Sequence, residues 1–129
     1  MAPFSGDLEV VKILVENGAD VNYRNIDGIT PLMNGCSKGN LDIVKFLVDQ
    51  GSNMDAKNNR GETALFYASS YNTHVEIIKF LIEQGADVNS ESNDGKTFFP
   101  YLDKKYVNEI EELMKDIEER RFMIKPCKR

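Results

Sequence analysis

The side chains best suited to acid–base or nucleophilic chemistry are few in this sequence: one histidine and two cysteines. His74 has no second histidine with which to share a zinc ion, and Cys36 and Cys127 show neither CxxC nor zinc-ligand spacing. Phosphate-binding loops of the GxxxxGKS/T and GxGxxG types are absent. We therefore expect no enzymatic activity, no metal site and no cofactor. We expect His74 to have a structural role in a turn, and Cys36 to pack as a small buried hydrophobe.

Both cysteines are expected to be free thiols, because secreted domains of this size usually carry more of them. That expectation places the protein in a reducing compartment. The sequence has no run of 18 apolar residues, and its opening MAPFSGD has neither the basic nor the apolar region of a signal peptide. We predict an intracellular, cytoplasmic location, with the nucleus as the alternative if the basic residues within 120–129 act as a nuclear signal.

The charge balance argues against two classes of partner. The chain of 129 residues carries a formal net charge of -5, whereas nucleic-acid binding and docking on anionic membranes both depend on basic surface. Residues 120–129 form the only candidate basic patch. We expect these residues to complement the dipole of a preceding helix or to remain solvated. The sequence thus predicts no nucleic acid and no membrane among its partners.

The organisation of the chain follows from a repeat. Three kinds of marker recur after 33 and then 34 residues, which is the period of stacked helical units. Three markers with one period indicate one structural unit repeated along the chain. The markers are Gly18, Gly51 and Gly85; Gly28, Gly61 and Gly95; and Thr30, Thr63 and Thr97.

Each unit reads as two short helices. Thr30 can cap the first helix with its hydroxyl, and Pro31 suits the first helical position. Gly39-Asn40 breaks that helix, and Gly51 ends the next one in the left-handed conformation. One such hairpin cannot bury its apolar face alone, so the units must stack. The apolar stripe of the second helix is Leu41, Val44, Leu47 and Val48.

These motifs resemble the ankyrin repeat, whose signature is roughly DGxTPLHxAAxxGHLEVVKLLLxxGADVN. The segments ENGADVN at 16–22, DGITPL at 27–32 and EQGADVN at 83–89 match it almost letter for letter. The chain departs from the signature at Met33 and Phe66, which replace a histidine, and at one extra residue near 72–73. The resemblance covers residues 6–119. It implies an all-α solenoid of stacked helix-turn-helix units, with β-turn loops between the units.

The two ends of the stack differ from its middle. After a short start (1–5), the single domain (6–119) comprises a half repeat (6–25), two repeats (26–58 and 59–92) and a divergent capping repeat (93–119), followed by the helix end and basic tail (120–129). The half repeat lacks its first helix, so we expect a fragment of a longer protein, with a partner or a second copy over that face as the alternative. In the capping repeat, Pro100 falls in a first helix, and Glu109 and Glu112 replace apolar residues, as a soluble cap requires.

The resemblance implies binding through a concave surface made of turn tips and the exposed sides of the first helices. Those positions do not pack in the core, so they are free to differ between repeats. Arg60 replaces an aspartate of the neighbouring tips, and Tyr71 lies beside the inserted residue; both residue types commonly anchor interfaces. The expected binding residues are Ile26, Asp27, Ile29, Ser37, Lys38, Asn59, Arg60, Glu62, Ser70, Tyr71, Asn93, Asp94, Lys96 and Lys104.

Two asparagines fit a modification motif. Asn22 and Asn89 resemble the L-x5-D/E-V-N sites that an asparaginyl hydroxylase modifies in ankyrin proteins. The alternative is that their side chains hold the turn by hydrogen bonds.

The sequence therefore predicts an interaction scaffold or adaptor whose partner is another protein. The alternative is a regulatory ankyrin domain that acts in cis within a larger enzyme or channel. Direct recognition of a small molecule or nucleic acid is disfavoured by the acidic charge and by the lack of aromatic stacking clusters. Self-association through the uncovered helix of the half repeat is a further hypothesis, with Val11 and Leu14 as its contact residues.

Overall fold

The computed structural model describes residues 8–70 and 74–124, with side chains as far as Arg120. Those residues form six α-helices and one short 3-10 turn at Phe99–Tyr101, and no strand occurs among them. This confirms the all-α class that the repeat predicts. The helices are α1 (Leu8–Glu16), α2 (Pro31–Lys38), α3 (Leu41–Asp49), α4 (Ala64–Ser70), α5 (Val75–Glu83) and α6 (Lys104–Ile124).

The helix ends lie where the local chemistry places them. The Thr30 hydroxyl accepts a hydrogen bond from the Met33 backbone N–H (3.3 Å), and the Asn40 side chain accepts one from Ile43 (3.1 Å). Each cap satisfies a backbone donor that has no partner inside its own helix. Gly51 (φ 96°) takes the left-handed conformation expected of it, and Gly39 (φ 73°) takes the same conformation where α2 was predicted to end.

The helices stack in two layers. The first helices of neighbouring repeats pack on each other (α2 against α4), and so do the second helices (α1 against α3, α3 against α5, α5 against α6). The apolar core lies between the layers and is shared between neighbouring repeats. Its central residues include Val44, Leu47, Phe66, Ile78 and Leu81.

The capping repeat departs from the prediction. Its first helix is reduced to the 3-10 turn that contains Pro100, and Leu102 then takes an extended conformation (φ -68°, ψ 141°). Asp103 starts α6, because its carboxylate accepts a hydrogen bond from the Lys105 N–H (3.2 Å). Lys104 is therefore the first residue of α6, so its predicted place on a first helix is wrong.

Hydrogen bonds also join the turn tips of neighbouring repeats. The Asn59 N–H donates to the Asp27 carbonyl (3.0 Å), and the Asn93 N–H donates to the Arg60 carbonyl (2.9 Å). The tips are thus held at a fixed spacing by the backbone itself.

The cost of that close stacking can be measured with a matched pair of glycines. Gly61 and Gly95 have nearly the same φ (78° and 76°), but a Cβ on Gly61 would lie 2.8 Å from the Asn93 backbone nitrogen, whereas one on Gly95 would meet nothing within 4 Å. We expect Gly95→Ala to lower the free energy of unfolding by about 1 kcal/mol and Gly61→Ala by about 3 kcal/mol, in urea unfolding. Equal losses would contradict a role for tip stacking in stability.

Candidate functional site

The turn tips share one hydrogen-bond design. Asn25, Asn58 and Ser92 start the three tips, and each side-chain oxygen accepts two backbone N–H groups within its own turn. The distances are 2.9 and 2.9 Å at Asn25, 2.8 and 2.9 Å at Asn58, and 3.3 and 3.4 Å at Ser92. Side-chain acceptors of this kind fix a turn without a strand ladder. The tips are therefore preorganised supports for whatever side chains they carry.

Several predicted residues occupy the exposed part of these tips. Ile26 is 92% exposed, which is unusual for an isoleucine. Asp27, Arg60, Asp94 and Lys96 are also exposed.

Two other predicted residues have a stacking role. The side-chain amides of Asn59 and Asn93 donate to the carbonyls of Ile26 (2.9 Å) and Asn59 (3.1 Å) in the preceding tip. These donors hold neighbouring tips together, so a partner meets amides that are already engaged.

One small cavity brings predicted and unpredicted residues together. It has a volume of about 50 Å³, room for a water molecule or two rather than a ligand. Arg60, Glu62 and Ser70, all predicted, line it together with Phe66 and Tyr67. The arrangement is therefore a small depression on the surface where the tip meets α4.

A buried amide network supports this cavity. Asn58 is 7% exposed, and its amide nitrogen donates to the Tyr67 hydroxyl (2.7 Å) and to the Glu62 carboxylate (3.0 Å). The oxygen of the same amide holds the tip, so one side chain joins the tyrosine to the tip. The Phe66 ring also contacts Tyr101 with centroids 5.9 Å apart.

The prediction missed the row of first-helix residues nearest the tips. Asn34, Tyr67 and Tyr101 occupy equivalent positions at the repeat spacing, and Tyr101 remains exposed. Counting four residues from Thr30, Thr63 and Thr97 would have found the row. We call the tips together with this row the concave surface.

The remaining predicted residues have mixed environments. Lys38 and Ser70 are exposed, and the Ser70 hydroxyl donates to the Phe66 carbonyl (2.6 Å). Ser37 is half-buried. Ile29, expected to be exposed, is also half-buried, with its N–H bonded to Asn25. Tyr71 lies outside the described residues.

The reactive side chains have structural surroundings. Cys36 is fully buried in the core, and burial raises the pKa of its thiol, which keeps the sulfur protonated and unreactive. His74 is the residue before α5, and its ring lies against Gly39. A Cβ added to Gly39 would lie only 2.5 Å from the Cε1 atom of that ring. Cys127 lies outside the described residues. Within 8–70 and 74–124, no group of three or more histidine, cysteine, aspartate or glutamate side chains could hold a metal ion.

A family model described as ankyrin repeats, in three copies, matches residues 1–92. The chain belongs to the ankyrin-repeat family. The match confirms the family indicated by the motifs, and it leaves the divergent capping repeat outside its bounds. Ankyrin repeats are in general protein–protein interaction modules and are typically non-catalytic. None of the curated proteins matches the sequence.

No helix in the described part of this ankyrin stack is both long enough and apolar enough to cross a membrane.

The two asparagines of the modification motif differ in their contacts. The Asn22 side-chain oxygen accepts a hydrogen bond from the Asn53 N–H of the next repeat (2.8 Å). Asn89 makes no side-chain hydrogen bond to the part of the chain that the structure describes. A structural role is therefore visible at Asn22, and hydroxylation at either residue stays a prediction.

The apolar residues that α1 exposes each precede the predicted contact residues by one position in the sequence. Val11 is fully buried and Leu14 half-buried, so they are wrong as contact residues for self-association. Val10 and Ile13 are 44% and 55% exposed instead. Val10 is equivalent to Ile43, which packs near Gly35 of its own first helix.

Removing the amide that links tip and tyrosine should destabilise the stack. We expect Asn58→Ala to lower the free energy of unfolding by about 2–3 kcal/mol, because it leaves two backbone donors without partners and removes the hydrogen bonds to Tyr67 and Glu62. The exposed Asn25 makes the same two turn bonds, so Asn25→Ala is the matched control, with a loss of about 1 kcal/mol. Urea unfolding measures both, and equal losses would contradict the importance of the contacts to Tyr67 and Glu62.

Proposed function

We propose that this ankyrin stack is a scaffold or adaptor that binds a partner protein through its concave surface. The observation that carries the proposal is the meeting of Arg60, Glu62 and Tyr67 around one small cavity, beside the exposed Tyr101. Arginine and tyrosine are the side chains most enriched among the strongest contributors to protein interfaces.

Preorganisation supports the same proposal. The tip that carries Arg60 is held by Asn58 within its turn and by the neighbouring tips. Binding to such a surface loses little conformational entropy. The Arg60 guanidinium itself makes no hydrogen bond or ion pair with the described residues, so it is available to a carboxylate or carbonyl of the partner.

The charge pattern limits the partner's chemistry. Along the tips, Asp27, Arg60 and Asp94 alternate in sign. A complementary partner would present a basic, an acidic and a basic group in turn. Electrostatic matching of this kind contributes more to specificity than to bulk attraction.

The exposed pair on α1 favours a second candidate function. Val10 and Ile13 form an apolar face on which the stack could dock in cis against an enzyme or channel within a larger chain. In that case the concave surface is not needed to retain a separate protein.

Charge reversal at Arg60 tests the first proposal. In affinity purification with the tagged chain, we expect Arg60→Glu to weaken retention of a specific partner about 30-fold, the size of a strong interface contact. Lys115→Glu makes the same charge change at an exposed position on α6 and should leave retention intact.

Circular dichroism of both variants verifies that their helices are retained. A partner that survives Arg60→Glu would contradict the concave site. If no protein is retained by the wild type, the cis-regulatory candidate is favoured.

The exposed face of α1 also supports the hypothesis of self-association. If two copies pair through this face, Val10→Glu/Ile13→Glu should convert dimers into monomers, because it places charges in an apolar interface. Light scattering coupled to size exclusion measures the molar mass. Dimers that persist in this double variant would contradict pairing through α1.

A further inference from the structure

A second ladder of hydrogen bonds runs along the loops that follow the second helices. Asn22, Asp55 and Asn89 occupy equivalent positions at the repeat spacing. The Asn22 oxygen accepts from the Asn53 N–H (2.8 Å), and the Asp55 carboxylate accepts from the Asp87 N–H (2.9 Å). Each of the first two ladder residues therefore binds one backbone N–H of the following repeat.

The ladder stops at Asn89. The next repeat continues as the 21-residue helix α6 and offers no equivalent loop. As a result, the side-chain amide of Asn89 makes no hydrogen bond to the described residues. It lines a cleft of about 160 Å³ between the end of α5 and the middle of α6. The other lining residues of this end cleft are Ile82, Ala86, Val88, Met114, Ile117 and Glu118.

We propose that the end cleft binds an extended peptide segment of a partner protein. A backbone N–H of the segment donates to the Asn89 side-chain oxygen, as Asn53 and Asp87 do to the earlier ladder residues. The following apolar side chain of the segment then enters the cleft beside Met114 and Ile117.

Three observations define this occupant. Each backbone donor in the ladder is followed by a half-buried apolar residue: Met54 follows Asn53, and Val88 follows Asp87. A segment bound in the same way would therefore have an apolar side chain directly after its N–H donor. The cleft is smaller than the roughly 300–1,000 Å³ of small-molecule sites, which fits one side chain.

The charge at the rim gives the third observation. Glu118 lines the cleft, and Asp87 is exposed two residues before Asn89. Two carboxylates favour a segment with a basic residue close to its apolar one. The segment is therefore extended and basic, with a small or polar residue before the apolar one.

The end cleft is separate from the concave surface. None of its lining residues belongs to the tips or to the row of Asn34, Tyr67 and Tyr101. Loss of binding at one site therefore leaves the other unchanged.

The probe for the experiment is taken from the chain itself. An acetylated and amidated peptide of residues 50–57, with Asp55→Lys, has the sequence QGSNMKAK; it carries the Asn53 donor, the Met54 side chain and basic groups. A second form of the peptide carries a methyl group on the backbone nitrogen of Asn53. This change removes the backbone N–H donor and leaves the side chains of the peptide unaltered. NMR titration of the labelled full chain follows the Asn89 side-chain amide and the Met114 and Ile117 methyl groups.

We expect saturable shifts at these groups with the first peptide, and about fivefold weaker binding of the methylated peptide, the size of one hydrogen bond. Asn89→Ala should weaken the first peptide about fivefold and abolish the difference between the two peptides. Asn22→Ala is the control, because it removes an equivalent side-chain amide that already accepts the Asn53 N–H of the chain itself. This variant should leave the affinity for the peptide unchanged.

Any of three outcomes would overturn the proposal. The first is the absence of saturable shifts up to about 5 mM peptide, which is weaker than any useful recognition. The second is equal binding of the two peptides to the wild type. The third is a concentration-dependent shift of Asn89 without peptide, which would assign the cleft to a second copy of the chain.

Discussion

Neither of the two repeats in the middle of the stack can form a core by itself, because each offers only two helices of seven to nine residues. Burial is achieved only between neighbours, so the stacking contact is the interaction on which the structure depends. The tip bonds from Asn59 and Asn93 and the loop bonds from Asn53 and Asp87 set the spacing at which that contact is made. The surfaces proposed for binding follow from the same spacing, since it places equivalent residues of successive repeats side by side.

The fold could be predicted from the sequence wherever the signal was local. Thr30, Gly39 and Gly51 act on groups within a few residues of themselves, and the helices begin and end at them. The capping repeat was less predictable. Its Thr97 and Pro100 resemble a helix start, but α6 begins only at Lys104, because the chain becomes extended at Leu102 and Asp103 then provides a new cap.

The candidate site was predictable only in part, because much of it depends on contacts between repeats. Arg60, Glu62 and Ser70 were expected, and they do meet around one cavity. The stacking role of Asn59 and Asn93 could not be read from one repeat, since their acceptors lie in the preceding one. On α1, a stripe of consecutive apolar residues does not reveal which one faces solvent, and the prediction was one position away from Val10 and Ile13.

The described contacts of α1 are fewer than those of α4, and this difference gives the stack a direction of unfolding. The main contact of α1 with another helix is to α3, and its Val10 and Ile13 remain partly in water, whereas α4 contacts α2, α5 and the 3-10 turn. Local opening is least costly where few apolar contacts must be broken. Amide protons should thus exchange fastest in α1 and slowest around α4 and α5. The tip that carries Arg60 leads directly into α4, so the proposed binding residue is joined to the part of the stack expected to open last.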